Sequence, residues 1–199
     1  MANNRSYEFY QQPLTGTTIP NLYWVCGATN GFTPSSGLRL SVDLLLAVPF
    51  DQMRDVTASK IGIQVVTAGN AGAKCHLGIY ENAGNTNNAP SGLVIDAGEL
   101  DISSTGFKSL NIDQALTADT RYWAALLSND GVAVVLTVAA GTSAKSIHWG
   151  AAEPFGVIQP VSAVNSSQNY GALPNTFPTA GLFLGGVNPM VALGFSAVI

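Results

Sequence analysis

Short stretches in which apolar and polar residues alternate, each stopped by Gly, Pro, Asn or Asp, run along nearly the whole chain. Amphipathic helical spacing sustained over a dozen residues is hard to find in it. A period of two sends successive side chains to opposite faces of a strand, so this pattern constrains the fold more than any other feature. Strands are predicted near Leu22–Val25, Arg39–Val48, Thr57–Thr67, Lys74–Glu81, Leu93–Leu100, Phe107–Leu116, Thr120–Leu127, Val132–Val138, Ile147–Trp149 and Val191–Val198. Many short strands separated by turn chemistry specify a sandwich or a barrel. The expected fold is all-β, an antiparallel β-sandwich (jelly-roll-like) over residues 38–199, preceded by an extended N-terminal arm over residues 1–37.

The breaks carry the chemistry of turns. Gly69-Asn70-Ala71-Gly72 is expected to be a hairpin loop between KIGIQVVTA and KCHLGIY. Asn129-Asp130-Gly131 is expected to be a second one, between YWAALLS and VAVVLTV. Glu81–Gly92 is the longest polar loop and belongs on the surface. SVDLLLAVPF, Ser41–Phe50, holds leucines that favour helix, but it is short and ends at Pro49, so a strand is predicted. The first 35 or so residues embed Tyr7, Phe9, Tyr10, Tyr23 and Trp24 in Pro, Gly, Thr and Asn, which reads as an arm lying against a neighbouring chain or the domain's own flank. Residues 154–178 are predicted to be a long loop of the kind that makes contacts.

Charged residues make up only 10% of the chain, and Gly, Ser, Thr and Asn replace them, at 67 of 199 positions. A neutral surface is explained by burial in an assembly, because charge is what keeps a free monomer apart from its neighbours. A net charge of −4 with eight scattered Lys and Arg speaks against nucleic-acid binding. No apolar run approaches the roughly 20 residues of a spanning helix, so no membrane insertion is expected. The N-terminus shows no positive start followed by an apolar stretch, so no secretory signal is read there and folding in a cytoplasm is expected. Cys26 and Cys75 carry no metal-ligand spacing; buried free thiols are expected, with a disulfide as the alternative.

One succession of motifs goes further. Leu77–Tyr80 (LGIY) is followed by a polar loop ending in Pro90-Ser91-Gly92, then Asp96-Ala97-Gly98, Ser104-Thr105-Gly106, and a strand from Leu116 to Trp123 containing Tyr122-Trp123; YGALPNTFP, Tyr170–Pro178, precedes the last strand. In this order they resemble a recurrent β-sandwich domain of bacteriophage virion proteins, those of tail fibres and minor structural proteins. The likeness spans roughly residues 38–199. It implies a non-enzymatic structural component of a virion, assembled in the host bacterial cytoplasm as a homo-oligomer, a trimer among the options, with other virion proteins as partners. No coiled-coil or repetitive shaft precedes the domain here, so a baseplate, tail-tip or capsid-decorating position stands beside a fibre tip. The residues also read without the family. DAG and STG are expected to reverse the chain between strands, and Tyr122 and Trp123 to point to opposite faces of one strand.

Chemistry finds little support. Most carboxylates fall at expected turns or strand ends, where Asp is common. His76 and His148 lie 72 positions apart in strand-like contexts, without a nucleophile elbow. The loop Glu81–Asn88 offers one carboxylate, too few for calcium, so no catalytic residue, metal or cofactor is expected. A host-surface glycan is the alternative partner, because sugar sites combine aromatic platforms with amides. Its candidates are Tyr80 with Asn82, and Trp149, Phe155 and Tyr170, each weighed against packing in the core.

Overall fold

A computed structural model describes residues 23–26, 34–52, 55–84, 89–138, 164–178, 183–184, 188–189 and 191–198. They form strands β1 (Tyr23–Cys26), β2 (Pro34–Arg39), β3 (Leu44–Gln52), β4 (Val56–Thr67), β5 (Lys74–Asn82), β6 (Pro90–Asp101), β7 (Gly106–Leu116), β8 (Thr120–Ser128), β9 (Val134–Val138), β10 (Val164–Ser167), β11 (Phe183–Leu184), β12 (Asn188–Pro189) and β13 (Val191–Val198), with no helix among the described residues. Two antiparallel sheets pack face to face as a β-sandwich. One runs β1-β13-β4-β9-β12, with β2 on β9 and β7 on β4; the other runs β11-β10-β3-β8-β5-β6.

The alternation of the sequence fills the space between the sheets. Ile61, Ile63 and Val65 of β4, Val191 and Leu193 of β13, Leu77 and Ile79 of β5, and Tyr122, Ala124 and Leu126 of β8 form one buried cluster. The complementary positions of the six-stranded sheet are apolar as well. Leu45 and Ala47 of β3, Tyr80 of β5, and Trp123, Ala125 and Leu127 of β8 form a second cluster with Val164, Leu173 and Phe177. The six-stranded sheet is therefore buried on both faces, and residues 168–178 are the strap that covers its outer one. Burial on both faces accounts for the leucine run of β3, which lacks the alternation of a half-exposed strand.

Several local expectations change. The single strand expected over Arg39–Val48 is broken into β2 and β3 at Asp43, whose φ of 58° lies in the left-handed region. Its backbone is held there, its N–H donating to Ser128 O (3.1 Å) and its carbonyl accepting from the Gln168 N–H (2.9 Å). β3 then runs through Pro49 to Gln52; among the described residues β10 reaches only Ala47, and Pro49 is paired with β8 alone. The segments 69–72 and 129–131 are not hairpins. They carry the chain from β4 to β5 and from β8 to β9, each time from one sheet to the other. β5 and β6, consecutive strands, pair with each other as a hairpin, and Ala83 N–H donates to Ala89 O (2.8 Å) beyond the strand ends. β1 and β2, within or across the first 37 residues, pair with β13 and β9 as strands of the seven-stranded sheet. Part of the expected loop at 154–178 is strand β10, paired with β3. Ile147–Trp149 and the aromatics Tyr7, Phe9 and Tyr10 lie outside the described residues.

One buried carboxylate joins the two crossings. Asp130 Oδ2 accepts the N–H groups of Val132 (2.8 Å) and Ala133 (2.6 Å), and Oδ1 accepts both the N–H (3.2 Å) and the side-chain amide (2.7 Å) of Asn70. Burial pushes its pKa up, but the N–H groups of Ala133, Val132 and Asn70 outweigh that and hold it below the ordinary aspartate value. Asp130→Ala is expected to cost about 2–4 kcal/mol in denaturant unfolding at neutral pH. The folded pKa is the lower one, so the contribution is complete above the unfolded value and is lost as pH falls through the folded value. The gap between wild type and variant should therefore begin to narrow as pH falls below about 4.

Candidate functional site

A polar grouping lies on the described surface where the strap meets the outer face of the β5–β6 hairpin. β5 presents His76, Gly78 and Tyr80 to this side, because Cys75, Leu77 and Ile79 face the other sheet. β6 answers through a bulge. The register passes from Leu77↔Gly98 to Gly78↔Asp96, leaving Ala97 unpaired, and Gly98 takes a φ of 97° that a side chain would resist. Asp96-Ala97-Gly98, expected to reverse the chain, thus lies inside a continuous strand and aims the Asp96 carboxylate across the sheet. The STG expectation holds, since the chain turns between β6 and β7 there.

Asp96 is the organising group. Its Oδ1 accepts the Gly98 N–H (2.9 Å) and faces His76 Nδ1 at 3.2 Å; its Oδ2 accepts the Leu173 N–H of the strap (2.9 Å). Glu99 holds the neighbouring position. It receives Lys74 Nζ (2.7 Å) on Oε2 and the Tyr170 hydroxyl (2.9 Å) on Oε1, and His76 Nε2 stands 3.8 Å from Oε1. The hydrogen bonds from Lys74 and Tyr170 hold the Glu99 carboxyl below its usual range, and the same carboxylate raises Lys74. Burial, then the bond to Glu99, pushes the Tyr170 phenol up. The Tyr170 ring meets His76 edge-on at 5.4 Å.

Further along, the strap is held by its backbone and by two apolar side chains. Leu93 N–H donates to Asn175 O (2.9 Å) and Phe177 N–H to Ser91 O (2.8 Å), around an antiparallel bridge between Gly92 and Thr176. The Tyr80 hydroxyl donates to Pro174 O (2.9 Å). Leu173 occupies the space left by Gly78, where an added Cβ would collide with Leu173 Cδ1. Phe177 meets the Tyr80 ring edge-on at 5.2 Å. Tyr170 N–H donates to Asp43 Oδ1 (2.7 Å) at the start of the strap.

Tyr80 is 0% exposed and presents no ring face to a sugar, which removes it as a stacking platform. Asn82 accepts the Trp123 indole N–H on Oδ1 (3.0 Å) and donates to Gly84 O (2.8 Å), so its amide is occupied. Tyr170 is partly exposed and belongs to the strap anchor. Trp149, Phe155 and His148 lie outside the described residues, and of Tyr23 and Trp24 only the backbone pairing with β13 is described. Tyr122 fills the inter-sheet cluster and Trp123 lies in the outer one, fully buried. Gly78, Asp96, Glu99, Leu173 and Phe177 had no place among the sequence candidates. The available signal was the spacing of His76, Gly78 and Tyr80 at every second position, one face of one strand.

Asp96 and His76 have the form of a base and its orienting acid, but among the described residues no serine, threonine or cysteine side chain is hydrogen-bonded to the His76 ring, whose nitrogens face Asp96 and Glu99. Cys75 points to the opposite face as a free buried thiol whose pKa burial pushes up to about 12. Compared with known proteins, the chain matches no family model and no curated sequence.

Asp96→Ala frees the Leu173 and Gly98 N–H groups and is expected to lower stability by about 2–3 kcal/mol in denaturant titration. In a Cys26→Ser background, Cys75 should resist a thiol reagent such as dithionitrobenzoate in the native protein and react fully once the protein is unfolded.

Proposed function

We propose that this β-sandwich is a non-enzymatic structural component of a phage virion, in a tail fibre, a baseplate or tail tip, or a capsid decoration, where it assembles as an oligomer with other virion proteins. The observation that carries this reading is the fate of the motif residues behind the resemblance. Gly78 and Tyr80 of LGIY, Ser91 and Gly92 of the loop end, Asp96 and Gly98 of DAG, and Leu173 and Phe177 of YGALPNTFP all serve to seat one strap on one sheet. A recurrent motif occupied with holding its own fold suits a scaffold more than an active site, where polar groups are left to meet a substrate. The charge-poor sequence supports an assembled state. The glycan reading draws less support, because Tyr80 is buried and the Asn82 amide is occupied.

Immunogold imaging of purified particles tests the reading: labelling at a regular position on the particle supports it, and particles devoid of the protein overturn it. Because β1 pairs with β13, the truncation that probes attachment through the aromatic N-terminal residues stops before Tyr23. A chain lacking residues 1–22 is expected to fold, as judged by its circular dichroism and melting, yet to be absent from particles.

A further inference from the structure

We propose that the trough on the outer face of the six-stranded sheet is an acceptor for an extended peptide of the Leu-Pro-x-x-Phe type, filled by the chain's own strap and able to take the same segment from a second copy. The proposal concerns the purified protein and holds or fails independently of any place in a virion.

Recognition in the trough is divided as it is when an extended peptide adds to a sheet edge, with main-chain hydrogen bonds for attachment and side-chain pockets for selectivity. The main-chain part is the pair of bonds around the Gly92↔Thr176 bridge along β6, the last strand of the described sheet. The pockets are the gap over Gly78, which takes Leu173, and the wall formed by Tyr80, which takes Phe177. Two side chains of the sheet read the peptide backbone, Asp96 at the Leu173 N–H and the Tyr80 hydroxyl at the Pro174 carbonyl.

The strap behaves chemically as a ligand. Both anchors, Leu173 and Phe177, immediately precede a proline, Pro174 and Pro178, which biases each toward extended backbone before it meets the sheet. Preorganisation of this kind lowers the entropic cost of docking, and it belongs to the segment whichever copy carries it. The strap is also separable from the main core. Leu173 and Phe177 belong to the outer cluster, and no residue of 168–178 belongs to the inter-sheet one, so lifting the strap leaves the packing between the sheets in place.

The test uses the full chain with Leu173→Ala and Phe177→Ala together, which loosens the strap while leaving the trough, and a fluorescein-labelled synthetic peptide spanning residues 168–178. Fluorescence anisotropy is expected to give saturable binding at least about tenfold tighter than to wild type, where the strap in place competes. A peptide with alanine at both anchor positions should not bind. A folded double variant that leaves the peptide unbound at about 1 mM overturns the proposal. If the double variant does not fold, hydrogen exchange on wild type decides instead. The amides of Leu93, Leu173 and Phe177 are expected to open together, at least roughly a hundredfold more often than those of Ile61 and Ile63 in β4. Exchange of both sets through one common opening would mean that the strap cannot leave a folded sandwich, which also overturns the proposal.

Discussion

Burial of the six-stranded sheet on both faces is the constraint from which most other features follow. A sandwich needs one apolar face per sheet, and here the inner one is supplied by Leu77, Ile79, Tyr122, Ala124 and Leu126. The outer face carries Trp123 and Tyr80, two large side chains that would be costly to leave in water. Covering them requires a segment that brings apolar side chains and satisfies its own backbone without being a strand of either sheet. The strap does both. Its N–H and C=O groups find Asp43, Asp96, Ser91, Leu93 and Tyr80, so the second cluster is closed without leaving those groups unpaired.

The polar residues of the β5–β6 hairpin make sense as consequences of that closure. Gly78 is small because Leu173 needs the space above it. Asp96 is carried on a bulge because a regular strand would not aim its carboxylate at both the Gly98 and the Leu173 N–H groups. Lys74 and Tyr170 converge on Glu99, and His76 stands between the two carboxylates. Carboxylates with a histidine between them have the outward form of a catalytic centre. Here their partners are backbone groups and side chains of the same fold.

Much of the strand content was legible because period-two patterning is a local property. β4, β5, β7, β8 and β13 fall within a residue or two of the strands expected from the sequence. Pairing was less legible, because it is non-local. The dipeptide Asp130-Gly131 announces a turn, but whether the chain returns to its own sheet or crosses to the other depends on what Asp130 binds, and that includes Asn70, 60 residues away. β10 was missed since VNSS has neither alternating apolar residues nor length; it is a strand because β3 offers it a hydrogen-bonding edge. The outer-face site was missed for a related reason. Asp96-Ala97-Gly98 has the composition of a turn, and composition does not distinguish a turn from a bulge.

The sequence by itself determined that the chain would be all-β, roughly where its strands would run, and that Tyr122 and Trp123 would face opposite ways, since these follow from periodicity and from the alternation of side chains along a strand. Tertiary structure alone decided which sheet each strand joins, that the outer face of one sheet would be a second core, and that residues 168–178 would be its cover. Those outcomes rest on contacts between Gly78 and Leu173, Asp96 and Leu173, or Tyr80 and Phe177, whose partners lie far apart in the chain. No window along the sequence contains both halves of such a contact.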